Sequence, residues 1–317
     1  MCDKSKTKIF SIEGNIGSGK STLVKILEQK LHKIIELNKK QLSTKSFRKK
    51  SDDIAYRSDM SDILMENYTS THDEYEINYE IDLQSNSSDN TSKIQENIID
   101  RILKYIMTNA FGVKTTDWTK MKICFLVEPV DEWNEIVDSN NITILEKFYA
   151  EPGKYAFSFQ MMAYISRLKQ LRKALSENYD IIITERCVHT DKEVFARMLY
   201  DDDKIGEIEY SIYNTWFKHF LEEIPTISVI YIRTAPAIAH NRVIKRARQG
   251  EFISLEYLTE CHNYHEKWLT KSITEAETHE NSIVNKNLLV LNGDVNHIEN
   301  PEILNQWLRK ILEFIYN

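Results

Sequence analysis

The run Gly14-Asn15-Ile16-Gly17-Ser18-Gly19-Lys20-Ser21, followed by Thr22, decides how this chain reads. It fits G-x-x-x-x-G-K-[ST], the signature of a loop that binds phosphate. Glycines let consecutive backbone N–H groups curve into a nest around phosphate oxygens. A helix that starts at the end of the loop adds its positive end. Lys20 supplies a mobile cation to the β- and γ-phosphates of a nucleotide, and the Ser21 hydroxyl is a ligand for Mg²⁺. Three of only eight glycines fall between residues 14 and 19. The context is the one the motif requires. TKIFSI (7–12) reads as a short buried strand, and Leu23, Ile26, Leu27 and Leu31 recur at helical spacing after the loop. The loop predicts nucleotide binding and does not by itself separate a kinase from a GTPase or a motor.

Outward from the loop, the rest of the chain predicts an α/β fold. KICFLV (122–127), DIIIT (180–184), ISVIYI (227–232) and NLLVL (287–291) are apolar runs without alternation, as expected for strands covered on both faces. Helical patterns lie between them and close the chain near 302–315. Strands alternating with helices predict a five-stranded parallel sheet flanked by helices. The whole chain reads as one domain. Residues 33–120 read as a long polar insertion within it, rich in Lys, Asn, Ser, Asp and Thr and with Gly112 as its only glycine. This composition predicts low complexity and partial disorder. Ile98, Ile102 and Ile106 are spaced for one amphipathic helix near its end, and the basic run KSFRKK (45–50) reads as a solvated loop.

The bulk numbers exclude several classes. The chain has 317 residues, 42% hydrophobic and 28% charged, with a formal charge of −7. Such a balance is that of a soluble globular protein and gives no bulk attraction to nucleic acid or anionic lipid. Cys2, Cys124, Cys187 and Cys261 are scattered and form no CxxC pair, which predicts a reducing, cytoplasmic setting. MCDKSKTKIF lacks the apolar core of a signal peptide and the glycine that myristoylation needs, and no apolar run approaches membrane-spanning length.

Two further strands end in charge, at Glu128-Pro129-Val130 and at Glu185-Arg186. In an open α/β sheet, ligands bind beyond the carboxyl ends of the strands. Glu128, Glu185, Arg186 and the phosphate loop are therefore expected in one crevice. There Glu128 can take a hydroxyl proton, Glu185 can hold Mg²⁺ with Ser21, and Arg186 can bridge the acceptor oxygen and the γ-phosphate. Arg242 and Arg246 share a helix face, and with Arg248 they form a cluster able to close over a triphosphate. Cys261-His262 with His265 offers no fourth metal ligand and reads as a packed helix.

The segments IEGNIGSGKST, EPVDEW, FSFQMMAYISR, ERCVHTD, YIRTAPAIAHNRVIKRAR and LEYLTECHNYHEKWL, in this order, resemble the deoxynucleoside kinase family, which includes deoxycytidine and deoxyguanosine kinases. The likeness covers nearly everything except about 33–120. It implies an ATP- and Mg²⁺-dependent kinase of nucleotide salvage, usually a homodimer joined through helices on one face. Glu128 would be the base on the 5′-hydroxyl, with Arg186 beside it, and Ser21 and Glu185 would serve the metal. Tyr149 and Glu251 would grip the sugar 3′-hydroxyl. Gln160 would read the base edge, walled by Trp133, Phe159 and Phe195. Arg167 and Asp191 would pair at the exocyclic group of the base. Arg242, Arg246 and Arg248 would belong to a mobile lid, and Asp294, Val295 and Asn296 would approach the adenine of ATP.

Asp191 accepts hydrogen bonds and suits an amino group, whereas Arg167 donates and suits a carbonyl. Thymine would face Asp191 with a carbonyl, and its methyl needs space near Ala163. Deoxycytidine or purine deoxynucleosides are thus expected over thymidine. Two departures stand out. Cys187 occupies the place of a family hydroxyl residue and reads as a small buried filler, and the lid at QGEFISLEYL is one residue short, which bears on Glu251. Two other readings stay open. A nucleoside monophosphate kinase would share the sheet and the loop but would need further arginines for the acceptor phosphate. A catalytically inactive, kinase-like structural subunit would be expected to lose loop residues, yet Lys20, Ser21, Glu128 and Arg186 are all present.

Overall fold

The computed structural model describes residues 7–32, 121–222, 224–247, 253–270, 283–285, 287–297 and 299–316. The expected insertion, 33–120, lies wholly outside the described residues, as do Arg248 and Glu251.

Strand β1 (Lys8–Gly14) runs down the middle of the sheet, buried from Ile9 onward on both faces. It enters the phosphate loop, and helix α1 begins at residue 20 and is described through 32. β2 (Ile123–Leu126) leads to short helices α2 (Val130–Asn134) and α3 (Ile144–Ala150) and the long α4 (Pro152–Ser176). Next come β3 (Ile181–Glu185) and α5, built from Val188–Thr190, a π-helical turn Asp191–Ala196 and Arg197–Asp201. α6 (Glu207–Leu221), β4 (Ile227–Arg233), α7 (Pro236–Arg246) and α8 (Leu255–Leu269) follow. β5 (Ile283–Asn285), β6 (Leu288–Asn292) and α9 (Pro301–Tyr316) complete the described chain.

The strand order is β2-β3-β1-β4-β6-β5. The five expected strands pair in parallel, and β5 adds an antiparallel sixth strand at the edge beside β6. Three residues are too short for a periodic signal, so β5 had none to give. β2 departs in another way. It lies at the opposite edge, and its four residues are only partly buried among the described residues, although its apolar run reads as a strand covered on both faces.

Successive residues of a strand point to opposite faces. Phe10 and Ile12 face Leu23 and Leu27 of α1 and Trp307, Leu308 and Ile311 of α9, in the largest apolar cluster. Ile9 and Ile182 face Leu171, Ala174 and Leu175 of α4 on the other side. After β1 the chain crosses to β2 on one side, and β4 then pairs on the opposite side of β1. This reversal opens a crevice at the carboxyl ends of β1 and β3, where the loop and the charged strand ends meet. Among the described residues no helix is long and apolar enough to cross a membrane.

Candidate active site

The loop residues divide between those that form the cradle and those that hold it. Gly17 adopts φ +81°, and a side chain there would start 2.5 Å from the Ala239 carbonyl oxygen of α7. Gly14, at φ +145°, passes as closely to the Ile232 carbonyl of β4. Only glycine permits both approaches. Asn15 anchors the loop: its Nδ2 donates to Leu258 O at 2.7 Å, and its Oδ1 accepts from Ile16 N at 2.9 Å. Gly14, Asn15 and Ser18 lie behind the site, whereas Ile16, Gly17, Gly19, Lys20, Ser21 and Thr22 line a cavity of about 690 Å³.

Lys20 Nζ donates to Asn15 O at 2.8 Å. Burial, joined by the charge of Arg186, brings its ammonium down to about 7, against the pull of Glu185, Glu128 and Glu13. Ser21 Oγ donates to Glu185 Oε1 at 2.6 Å. This hydroxyl and carboxylate form an all-oxygen pair that fits a hard cation such as Mg²⁺.

Glu128, Glu185 and Arg186 line the same cavity as Lys20, so the expected convergence of strand ends is met. Glu128 Oε1 lies 3.3 Å from Arg167 Nη2 and 3.5 Å from Arg186 Nε. Burial alone would raise the Glu128 carboxyl, but Arg186, Arg167 and Lys20 outweigh it and hold the group below the ordinary carboxylate range. Arg186 is buried at φ 60°, with its guanidinium 4.8 Å from the Phe195 ring centre. Its Nη1 has no hydrogen-bond partner among the described residues. A buried donor of this kind fits an anionic oxygen supplied by a ligand.

The other end of the cavity is aromatic and amide-lined. Trp133 meets Phe159 edge-on at 5.4 Å, and its Nε1 donates to Ser166 Oγ at 2.9 Å. Phe148 stacks on Phe159 at 4.7 Å. Gln160 is buried, and its Oε1 has no partner among the described residues. Arg167 Nε donates to Asp191 Oδ2 at 3.0 Å, its Nη2 to Asp191 Oδ1 at 3.4 Å and its Nη1 to Glu185 O at 3.1 Å. Burial pushes the Asp191 carboxyl up to about 6 even with Arg167 beside it. The π-helical turn brings Asp191 and Phe195 to the same cavity, a use such turns often have. Tyr149 also lines it.

The donor-side expectations divide. Arg242, Arg246 and Asn296 line the cavity. Asp294 and Val295 do not. Asp294 Oδ1 accepts from Ala235 N at 2.7 Å, and the Asp294 and Val295 carbonyls accept from Arg242 Nη2 at 3.4 and 3.2 Å. Arg242 Nη1 also donates to Gly293 O at 2.8 Å, so this arginine ties the segment after β6 to α7. Tyr257, Leu145, Phe148, Lys25, Lys245 and Glu299 also line the cavity, and nothing in the sequence reading singled them out. Only for Phe148 was there a signal, its place beside Tyr149 on a helix rich in apolar residues. Tyr155 and Phe157, read as packing residues, are partly buried in the aromatic cluster and do not line the cavity.

A phosphate cradle at the end of a central parallel strand, facing a carboxylate and two arginines, defines the class as a phosphate-loop kinase. The family can then be given. The chain belongs to the deoxynucleoside kinase family, whose model, "Deoxynucleoside kinase", matches residues 112–316. The phosphate loop lies ahead of that stretch. Among similar proteins, a probable deoxycytidine kinase of Fowlpox virus (strain NVSL) is 35% identical over 191 residues, 59% of this chain and 76% of the relative. Deoxycytidine kinase 2 of Gallus gallus is 32% identical over 200 residues, 59% of this chain and 74% of the relative. The mitochondrial deoxyguanosine kinase of Xenopus laevis is 30% identical over 172 residues, 48% of this chain and 65% of the relative.

Proposed function

We propose that this chain transfers the γ-phosphate of ATP to the 5′-hydroxyl of a deoxynucleoside, with deoxycytidine or purine deoxynucleosides preferred over thymidine. One observation carries the reading: two buried polar atoms without partners among the described residues, Arg186 Nη1 and Gln160 Oε1, belong to side chains that line one cavity, the first with the phosphate loop and the second with the aromatic walls. A phosphoryl group completes the first and the amide-reading edge of a base completes the second.

In this reading the phosphate loop and Lys20 hold the triphosphate tail. Glu128, kept ionised by its arginines, takes the proton of the 5′-hydroxyl as that oxygen attacks. Arg186 stabilises charge on the group in transfer. Ser21 and Glu185 would hold Mg²⁺, which when bound would neutralise charge on the phosphates. Trp133, Phe159 and Phe195 confine the base, Gln160 and the Arg167–Asp191 pair read its edge, and Tyr149 meets the sugar. Arg242, Arg246 and Asn296 serve the donor nucleotide.

One feature speaks against a monophosphate kinase. Arg167 is already committed to Asp191, Glu128 and the Glu185 carbonyl, and an acceptor phosphate would need free cations at that end. The proposal extends to a homodimer formed through α4 and α6, whose shared face exposes Ile165, Ile208, Ile212 and Trp216.

The test is transfer of label from γ-³²P-ATP to each of the four deoxynucleosides and their monophosphates. Labelled deoxycytidine, deoxyadenosine or deoxyguanosine, with thymidine far behind, is the expected result. Label on monophosphates alone would overturn the reading.

A further inference from the structure

Arg186 reaches the cavity through a backbone that L residues rarely adopt. Its φ of 60° lies in the left-handed region, which a bulky residue keeps only where its surroundings fix it. Two hydrogen bonds do so. Arg186 N–H donates to Ile12 O of β1 at 3.1 Å, and the Arg186 carbonyl accepts from Thr184 Oγ1 at 2.8 Å. Thr184 is a buried hydroxyl residue that breaks the apolar run Ile181-Ile182-Ile183 of β3. A strand buried on both faces gains nothing from a hydroxyl unless that hydroxyl has work to do.

The next residue is fixed as well. Cys187 is buried, with its Sγ 3.7 Å from Thr190 Oγ1, and its thiol faces the Glu13 carboxylate, which in turn accepts from Ser11 Oγ. Beyond this anchored peptide, the guanidinium has Glu128 at 3.5 Å, the Phe195 ring under it and Nη1 without a partner among the described residues.

We propose that Thr184 is a positioning residue for phosphoryl transfer: its hydroxyl holds the Arg186 peptide in the left-handed conformation, and this aims Nη1 at the transferred group. The inference rests on the phosphotransfer reading and adds a residue that does not line the cavity. Thr184 touches no reactant and acts only through Arg186.

The experiment uses the full chain with Thr184→Val, Thr184→Ser, Arg186→Ala and the Arg186→Ala/Thr184→Val double variant. Thr184→Val keeps shape and removes the hydroxyl. It is expected to lower kcat about 10- to 100-fold, the scale of a misaimed group, with KM for the deoxynucleoside little changed. Thr184→Ser is expected to restore turnover. In the Arg186→Ala background, Thr184→Val should cost almost nothing more, because no guanidinium is left to aim. A merely structural threonine would lower activity by the same factor in both backgrounds, and that result overturns the proposal. A crystal structure of Thr184→Val supplies a readout independent of turnover. Arg186 is expected to leave the left-handed region or its guanidinium to move, and an unmoved Arg186 overturns the proposal whether or not the wild type transfers phosphate.

Discussion

If the phosphate loop holds the donor as proposed, Lys20 sets the pH dependence of its binding. Its ammonium is brought down to about 7 because burial and Arg186 disfavour the charge. A triphosphate brings negative charge and raises that value, so binding above pH 7 must take up a proton. Affinity for ATP should therefore fall as pH rises above 7, by up to about tenfold per unit while only the free protein is deprotonated. Calorimetric titrations in buffers of different ionisation heat should give net proton uptake approaching one at pH 8 and little at pH 5.5. The absence of uptake at pH 8 would contradict the assignment. Gly17 gives a second test. Gly17→Ala meets both a positive φ and the Ala239 carbonyl, and should cost about 1–3 kcal/mol of unfolding free energy in urea titrations. The loop and the charged strand ends were legible because their chemistry is local: a few residue types at fixed spacing. Tyr257 and Lys245 were not. They reach the cavity only through the packing of α7 and α8, which no spacing rule encodes.

At the scale of elements, α3 supplies Phe148 and Tyr149 to the aromatic end of the cavity, and its start is fixed by a capping box. Thr143 Oγ1 accepts from Glu146 N at 3.2 Å, and Glu146 Oε2 accepts from Thr143 N at 2.9 Å. Thr143→Ala should destabilise the protein by about 1 kcal/mol and raise KM for the nucleoside more than it lowers kcat, as steady-state kinetics with thermal melts can establish. The five parallel strands were readable because buried strands give unbroken apolar runs. The π-helical turn at Asp191–Ala196 was not, since one extra residue per turn leaves no mark on a pattern read at 3.6. β2 shows the converse. Its apolar sequence implied cover on both faces, yet a strand at the sheet edge is only partly buried among the described residues.

At the scale of the molecule, the face shared by α4 and α6 bears on assembly. Ile208 is 77% exposed, and Trp216, 47% exposed, lines a cavity of about 420 Å³ with Ile165, Leu168 and Phe220. Covered apolar surface is the usual fate of such a patch. Sedimentation velocity should give a dimer for the wild type and a monomer for Trp216→Glu. A monomeric wild type would contradict the proposed assembly. In the proposed reaction a carboxylate and a phosphate loop, far apart in sequence, act on one pair of reactants. Its most direct test is the turnover of Glu128→Gln against the wild type with γ-³²P-ATP and deoxycytidine. A loss of about 10²–10⁴ in kcat, with ATP binding retained, is the predicted result; equal turnover by the two proteins would contradict the central claim.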